Sequence, residues 1–255
     1  MRVHHLVAGR TAPPGMASFI CHVLLVEHPD GLTLVDSGFG RADIAYPTRL
    51  GPLRHVLRPV AGATAADAVE EAGFAVDDVA HIVLTHLDLD HVGGAVDFPQ
   101  ATWHTTADEW SAATTARRLV DRPRYRTAQL RGSREVRAYA GIGDLWRHGL
   151  SAHEVLGGVS IIPMPGHSLG HAAVAVQSDR GLIVHAGDAV FDASCYGAAD
   201  ARGKKLRMKP ELRAFELTVA RDRLRLRRNH AALAALHADP ETTVVNAHDD
   251  RVFPG

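Results

Sequence analysis

The sequence is poor in cysteine, in net charge and in long apolar runs. Two cysteines, Cys21 and Cys195, are too few for a disulfide framework and favour a reducing compartment. A formal net charge of -1 argues against a nucleic-acid-binding protein, which normally carries a basic face. No apolar run approaches the roughly 20 residues of a membrane span, and the N-terminus lacks the apolar core of a signal peptide. We therefore predict a cytoplasmic protein that binds neither nucleic acid nor membrane.

Histidine, in contrast, is abundant, with 17 residues among 255. Several of them stand beside Asp or Gly at the ends of strand-like runs, and histidine is the commonest metal ligand. The apolar fraction of 46% is ordinary for a globular protein, so we predict a single domain over residues 1–255. A metal or acid–base site is therefore the first function to consider.

Strand signals occur in two groups, separated by a more helical and more charged segment. In the first group, residues 19–27 and 32–35 flank the hairpin signal at 28–31, and a helix capped by Thr64 precedes a strand at 81–84. Residues 106–150 are predicted to be a helical insertion, with an Arg-rich stretch at 117–137. The second group comprises strands at 159–164, 172–177, 182–186 and 243–246 and a long helical stretch at 211–238. This order suits two sheets packed face to face with helices outside.

Four metal-competent side chains follow the strand at 81–84, at His86, Asp88, Asp90 and His91. In an extended chain residues i, i+2 and i+4 point to the same side, so we expect His86, Asp88 and Asp90 to converge. Unpaired carboxylates this close would repel one another, and a bound cation relieves that repulsion. Taken alone, the segment could also be a solvated loop at the end of a strand.

Three further motifs recur at strand ends, each with a histidine or an aspartate. His167 lies in the Pro-Gly-His motif at 165–171, Asp188 closes the hairpin at 185–188, and His248 follows the last strand. Singly, each motif is typical of a turn. Jointly they indicate one site, because independent turns have no reason to carry His or Asp in this order.

The ordered motif set resembles the metallo-β-lactamase superfamily over roughly residues 19–252. The shared motifs are Asp-Ser-Gly at 36–38, Thr-His-x-Asp-x-Asp-His-x-Gly-Gly at 85–94, Pro-Gly-His-Ser-x-Gly-His at 165–171, Gly-Asp at 187–188 and Ala-His-Asp at 247–249. The resemblance implies an α/β fold, a four-layer αββα sandwich with metals at one edge between the two sheets. It also implies a binuclear centre whose ligands are His86, Asp88 and His167 for one ion, Asp90, His91 and His248 for the other, and Asp188 as the bridge. Asp36 would hold the ligand loop by hydrogen bonds.

Asp88 departs from the usual His-x-His-x-Asp-His motif, in which the second position is histidine. A carboxylate binds zinc, but it favours harder ions such as manganese or iron. We expect two divalent ions, zinc first, with manganese or iron as alternatives and a mononuclear centre left open. On this reasoning Asp88→His should bind zinc more tightly.

The reaction implied is hydrolysis of a small-molecule lactone or carboxylic ester by a metal-bound hydroxide. Asp90 would orient the hydroxide and pass a proton to the leaving group. Within the superfamily the pattern resembles the N-acyl homoserine lactone lactonase branch, which has a helical insertion before its Pro-Gly-His motif. That branch usually places a tyrosine three residues after the bridging aspartate, where this sequence has Phe191. Tyr196 is the nearest tyrosine in the chain.

Other functions stay open at this stage. They are a glyoxalase II-like thioester hydrolase, which needs a basic pocket, a mono-iron sulfur dioxygenase-like enzyme, and a non-catalytic binding protein of the same fold. The oligomeric state is open as well, a homodimer included. We expect Cys195 to be a buried apolar residue rather than a nucleophile, His171 to support its loop, and Trp103, Trp110 and Trp146 to pack in the core.

Overall fold

Two β-sheets form the centre of the protein, as a computed structural model describes it for residues 1–115, 124–132 and 135–253. The strands of the first sheet are β1 (Arg2–Thr11), β2 (Phe19–His28), β3 (Gly31–Val35), β4 (Pro59–Val60), β5 (Val79–Val83), β6 (Thr102–Thr106) and β7 (Glu135–Tyr139). Those of the second are β8 (Asp144–Leu145), β9 (Ser151–Leu156), β10 (Val159–Pro163), β11 (Ala172–Ser178), β12 (Gly181–His185) and β13 (Thr242–Val245). Among these residues the strand orders are β4-β1-β2-β3-β5-β6-β7 and β13-β12-β11-β10-β9-β8.

The described α-helices surround the sheets, and two of them pack on the outer faces. The helices are α1 (Arg41–Ala45), α2 (Ala65–Glu71), α3 (Leu89–Val92), α4 (Ala107–Thr115), α5 (Thr127–Leu130), α6 (Pro210–Val219) and α7 (Arg223–His237). Side chains of α2 pack on the first sheet, where Val69 lies in one buried cluster with Leu34 and Ile82. On the other side, Leu233 of α7 packs with Val184 of the second sheet. No helix within the described ranges is long and apolar enough to cross a membrane.

A third buried cluster joins the two sheets face to face. Leu24, Val26 and Val83 of the first sheet pack there against Ile161 and Val174 of the second. Nearly every residue of β2 and the first five residues of β11 are buried, as strands covered on both faces require. The four layers are therefore helix, sheet, sheet and helix, as the resemblance implied.

Each sheet contains both antiparallel and parallel strand pairs, and the parallel pairs determine which strand ends lie together at the site. Strands β1, β2 and β3 pair antiparallel, whereas β3, β5, β6 and β7 run parallel to one another. In the second sheet β12 and β13 are parallel. The carboxyl ends of β3 and β5 therefore lie at one edge of the first sheet, and those of β12 and β13 lie at one edge of the second.

Several predicted elements are confirmed and two are corrected. Thr64 caps α2 in a capping box with Asp67, and the hairpin at 28–31 joins β2 to β3. The predicted insertion at 106–150 is helical only in its first part, in α4 and α5, and strands β7 and β8 follow; residues 116–123 and 133–134 of it lie outside the described residues. The helical stretch at 211–238 is two helices, because the Asp222 carboxylate accepts the N–H groups of Leu224 and Arg225 and so starts a second helix.

Candidate metal centre

The carboxyl ends of four strands bring the predicted ligands to one edge of the sandwich. His86 follows β5, Asp188 follows β12, His248 follows β13, and His167 lies in the loop between β10 and β11. Three groups of His and Asp side chains there have ligand atoms within 4.8 Å of one another. Their members are His86, His91 and Asp188; His86, Asp88 and His167; and Asp90, His91 and His248. All seven predicted ligands are therefore brought together.

Asp188 lies at the middle of this arrangement. Its Oδ1 is 3.1 Å from Nε2 of His248 and 3.3 Å from Nε2 of His91. Its Oδ2 is 3.4 Å from Nε2 of His167 and 3.7 Å from Nε2 of His86. The two oxygens thus face different histidine pairs, and each pair belongs to a different predicted ion. A carboxylate with this surrounding can bridge two cations.

The segment after β5 reaches the centre by a route that differs from the prediction. An extended chain was expected to align His86, Asp88 and Asp90, but Asp90 and His91 lie on the single turn of α3. Asp88 is the residue before this turn and keeps an extended backbone, with ψ of 154°. The turn therefore sends Asp90 and His91 towards His248, while His86 and Asp88 stay beside His167. The local prediction was wrong, but the two ligand groups are those that the resemblance implied.

Three of the histidines are held through Nδ1, so that Nε2 faces the centre. Nδ1 of His248 donates to the Ile20 carbonyl at 2.8 Å, Nδ1 of His91 donates to Asp36 at 2.9 Å, and Nδ1 of His86 donates to Thr85 at 3.0 Å. A carbonyl only accepts, so it fixes the tautomer with a lone pair on Nε2. Among the described residues, Nε2 of His86, Nε2 of His91 and Oδ1 of Asp188 are buried without an aligned hydrogen-bond partner. Buried lone pairs facing one point fit a metal ion.

The electrostatic field at the centre favours positive charge. Burial opposes ionisation, but the carboxylates of Asp188 and Asp36 raise the pKa of His91 well above its ordinary value. Burial opposes ionisation of Asp188 as well, and His248 and His91 lower the pKa of its carboxyl well below the usual range. The field that stabilises a proton on His91 would equally stabilise a cation between these groups. The donors around His91, Asp188 and His248 therefore fit a divalent ion in charge as well as in geometry, whereas burial and Arg124 lower the pKa of His167 in the other group.

Asp36 holds the ligand loop from behind, as predicted. Its Oδ1 accepts the Thr85 N–H and its Oδ2 accepts the Thr85 hydroxyl, both at 2.8 Å. Oδ2 also accepts Nδ1 of His91. Its backbone has φ of 58°, a left-handed conformation that is costly for a residue with a Cβ. This conformation directs one buried carboxylate at two points of the loop between β5 and α3.

Glu109, on α4, is a site residue that sequence reasoning missed. Its side chain is fully buried and accepts four hydrogen bonds. Oε1 accepts the Leu87 N–H at 3.1 Å and the Tyr125 hydroxyl at 3.0 Å, and Oε2 accepts the Ser168 hydroxyl at 2.6 Å and the Gly170 N–H at 3.0 Å. Glu109 thus joins the loop that carries His86 to the loop that carries His167. No local pattern marks it, because its four donors come from distant segments.

Arg124 is the second missed residue. Its Nε lies 3.1 Å from Oδ1 of Asp88, and its Nη1 and Nη2 donate to the carbonyls of His167 and Val219 at 2.7 and 2.8 Å. Burial opposes ionisation of Asp88, but the guanidinium lowers the pKa of that carboxyl well below its usual range. The one signal in the sequence was the Arg-rich stretch at 117–137, which does not say which arginine turns inward.

Most of the remaining candidates lie where the sequence led us to expect, but Cys195, which was expected to be buried, is only partly buried. His171 is buried and accepts the Asp188 N–H at 2.9 Å, so it supports the loop. The Tyr196 hydroxyl donates to the Val244 carbonyl in the second sheet and does not reach the centre. Burial raises the pKa of Cys195, which packs beside the same core. Trp103, Trp110 and Trp146 all pack on the two outer cores.

A cleft of about 210 Å³ opens at the centre. Asp88, Asp90, His167, Asp188 and His248 line its floor. Its walls are mostly apolar and comprise Phe19, Leu53, Val56, Leu57, Leu89, Phe191, Phe215 and Val219. The Phe191 ring lies 5.0 Å from the His248 ring and 5.8 Å from the His167 ring, measured between centroids. A small molecule with an apolar part fits this lining.

Fold, motif order and ligand geometry all agree with one class of protein. Residues 18–236 match the family described as the metallo-beta-lactamase superfamily, and the chain belongs to that family. A probable metallo-hydrolase, Rv2300c of Mycobacterium tuberculosis, is 43% identical over 260 residues, which is 99% of this chain and 82% of the relative. The family and this relative indicate a metal-dependent hydrolase.

Two further similarities are to proteins described as lactonases. The N-acyl homoserine lactonase AttM of Rhizobium johnstonii is 30% identical over 166 residues, 60% of this chain and 58% of that protein. The solved structure of an N-acyl homoserine lactone hydrolase, with N-hexanoyl-L-homoserine bound at its catalytic metal centre, superposes with a TM-score of 0.66. It is 18% identical and covers 97% of this chain and 93% of its own, a likeness that shows the shared fold.

Proposed function

We propose that the chain hydrolyses a lactone or carboxylic ester of a small molecule at a binuclear metal centre. The observation that carries this proposal is the position of Asp188, whose two oxygens face two separate histidine pairs. The proposed ligands are His86, Asp88 and His167 for one ion, Asp90, His91 and His248 for the other, and Asp188 for both. Divalent ions bound there, zinc first, would polarise the substrate carbonyl and lower the pKa of a water molecule.

Asp90 is the proposed catalytic residue. It lines the cleft, and its Oδ2 lies 3.7 Å from Nε2 of His248. A carboxylate at this place can orient the attacking water, take its proton and pass that proton to the leaving oxygen. No Ser or Cys nucleophile is required, and Cys195, which is partly buried, packs against the core of the second sheet.

The lining of the cleft favours a neutral substrate with an apolar substituent. Arg124 is the one Lys or Arg among the described residues that line it, and the three nitrogens of its guanidinium already contact Asp88 and two carbonyls. An anionic peptide-like thioester would therefore find no free cation in these walls. This argues for a lactone or ester over a glyoxalase II-like substrate, and the similarity to lactonases supports the same choice.

A screen of metals against substrates tests the proposal. The protein, loaded with zinc, manganese or iron, is assayed for acid release from lactones, esters, thioesters and β-lactams. We expect lactones or esters with apolar substituents to be the best substrates, and Asp90→Asn to lose about 10²- to 10⁴-fold in kcat/KM. Asp30→Asn, in an exposed turn, is the matched control.

Three results would refute the proposal. The first is a preference for thioesters, and the second is oxygen consumption by a protein with one iron per chain. The third is a purified protein that retains no metal, which would indicate a non-catalytic binding protein of this fold.

A further inference from the structure

Asp88 has two oxygens in different surroundings. Its Oδ2 lies 2.9 Å from Nε2 of His167 and 3.4 Å from Nε2 of His86, the other two proposed ligands of the first ion. Its Oδ1 lies 3.1 Å from Nε of Arg124, and Nη2 of this guanidinium lies 3.5 Å from Nε2 of His167. One oxygen therefore faces the metal pocket, and the other faces a guanidinium.

Arg124 is held firmly in this position. Its Nη1 donates to the carbonyl of His167 and its Nη2 donates to the carbonyl of Val219, at the end of α6. The arginine side chain is only 18% exposed. The two hydrogen bonds from Nη1 and Nη2 hold the guanidinium in orientation, and its Nε forms an ion pair with Oδ1 of Asp88, an atom without an aligned hydrogen bond. Arg124 can therefore position the carboxylate through its charge.

The charges of this pair cancel within the pocket. Compared with a neutral histidine at position 88, the carboxylate adds one negative charge and Arg124 adds one positive charge. Because Arg124 takes the Oδ1 side, Oδ2 is left as the oxygen directed at His86 and His167. Asp88 then offers one ligand atom with no net added charge, as an imidazole would.

We propose that Asp88 and Arg124 act as one charge-balanced unit in place of the histidine of the usual motif, with Arg124 as the positioning residue. The inference rests on the proposed function, because it assumes that the first pocket holds a divalent ion. It also reverses the expectation from sequence for Asp88→His. An imidazole at position 88 would face a guanidinium without a counter-charge, so this substitution alone should weaken zinc binding.

A double-mutant cycle tests the unit. The wild type, Asp88→His, Arg124→Met and the double variant are loaded with zinc and dialysed against a competing chelator of known zinc affinity. Zinc per chain is then measured by elemental analysis. We expect each single substitution to weaken zinc binding by about 10- to 100-fold, the usual effect of losing an outer partner of a ligand. The double variant should recover at least tenfold of this loss, because an imidazole no longer needs the guanidinium.

Two further variants serve as controls. Arg131→Met removes an exposed arginine at the end of α5 and should leave zinc binding unchanged. Arg124→Lys keeps the charge and should retain more zinc than Arg124→Met. If Arg124→Met does not fold, as judged by circular dichroism, the lysine variant decides: zinc retention near the wild-type value supports the unit, and a loss as large as in Asp88→His contradicts it.

The outcomes separate this inference from the proposed function. A wild-type protein that retains no zinc, manganese or iron refutes both. A wild type that retains two ions, with single substitutions whose effects simply add in the double variant, refutes the paired unit alone. Tighter zinc binding by Asp88→His also refutes it, since the guanidinium would then be no obstacle.

Discussion

Glu109 accepts four hydrogen bonds in the interior, and its replacement by glutamine gives a sharp test of how the site is held together. Oε1 accepts one backbone N–H and one hydroxyl, and so does Oε2. Burial raises the pKa of the Tyr125 phenol, so that this hydroxyl remains a donor. Glutamine keeps the shape of the side chain but turns one of the two acceptors into a donor.

The expected loss in the free energy of unfolding depends on which of the four donors can also accept a hydrogen bond. The hydroxyls of Ser168 and Tyr125 can rotate and accept from the new amide, whereas the N–H groups of Leu87 and Gly170 cannot. In either orientation of the amide, one backbone N–H loses a bond to a charged acceptor, worth about 1.5–3 kcal/mol. The other bonds weaken as the charge disappears, and relief of the buried charge offsets part of this. We expect Glu109→Gln to lower the free energy of unfolding by about 2 kcal/mol.

Urea unfolding with a chelator present measures this cost without a contribution from metal binding. Asp108→Asn is the matched control, since it makes the same change on the exposed face of α4 and should stay within about 0.5 kcal/mol of the wild type. Glu109→Gln should also retain zinc less well, by about tenfold, because the loops of His86 and His167 are no longer joined. Equal unfolding midpoints for the two variants would show that the four bonds contribute nothing specific, and the reasoning would fail.

Three other substitutions test the site and its surroundings. Asp188→Ala should lose more metal and more activity than any other single ligand substitution, and a variant that keeps two ions and near-normal turnover would contradict the bridging role. Wild-type activity on N-acyl homoserine lactones should be low, and Phe191→Tyr should raise it, since one added donor to a developing oxyanion is worth up to about 3 kcal/mol; fast wild-type turnover of these lactones would refute this. Burial and the neighbouring His81 lower the pKa of His104 to about 4, below its ordinary 6.5. The stability that neutral His104 contributes is therefore complete above about pH 6.5 and is lost as the pH falls towards 4, by up to about 3 kcal/mol. His104→Gln should flatten this dependence in urea unfolding at pH 7 and 4.5, and an unchanged slope would contradict the assignment.

The layered fold and the grouping of ligands could be predicted because their signals are local or ordered along the chain. Strand ends with His or Asp are visible at 86–91, 167, 188 and 248, and parallel strands bring such ends to one edge. The resemblance then assigned the ligands to two groups, which the geometry reproduces.

The partners of Glu109 and Arg124 could not be predicted for a physical reason. Arg124 meets Val219 across 95 residues of sequence, and Glu109 meets Gly170 across 61. Neither contact leaves a periodicity in the chain, since it depends on how the insertion folds back over the site. The turn of α3 was missed because Leu89–Val92 is too short to show a helical pattern.

The proposed ligands are divided between the two halves of the sandwich. Asp88, Asp90 and their neighbouring histidines extend from the first sheet, whereas His167, Asp188 and His248 extend from the second. Ions bound to both sets would cross-link the two sheets. Metal affinity and the free energy of unfolding would then depend on each other. A small cavity made between the sheets by Val174→Ala would then weaken ion binding without changing a ligand. Metal retention in this protein would thus report on how tightly its two halves pack.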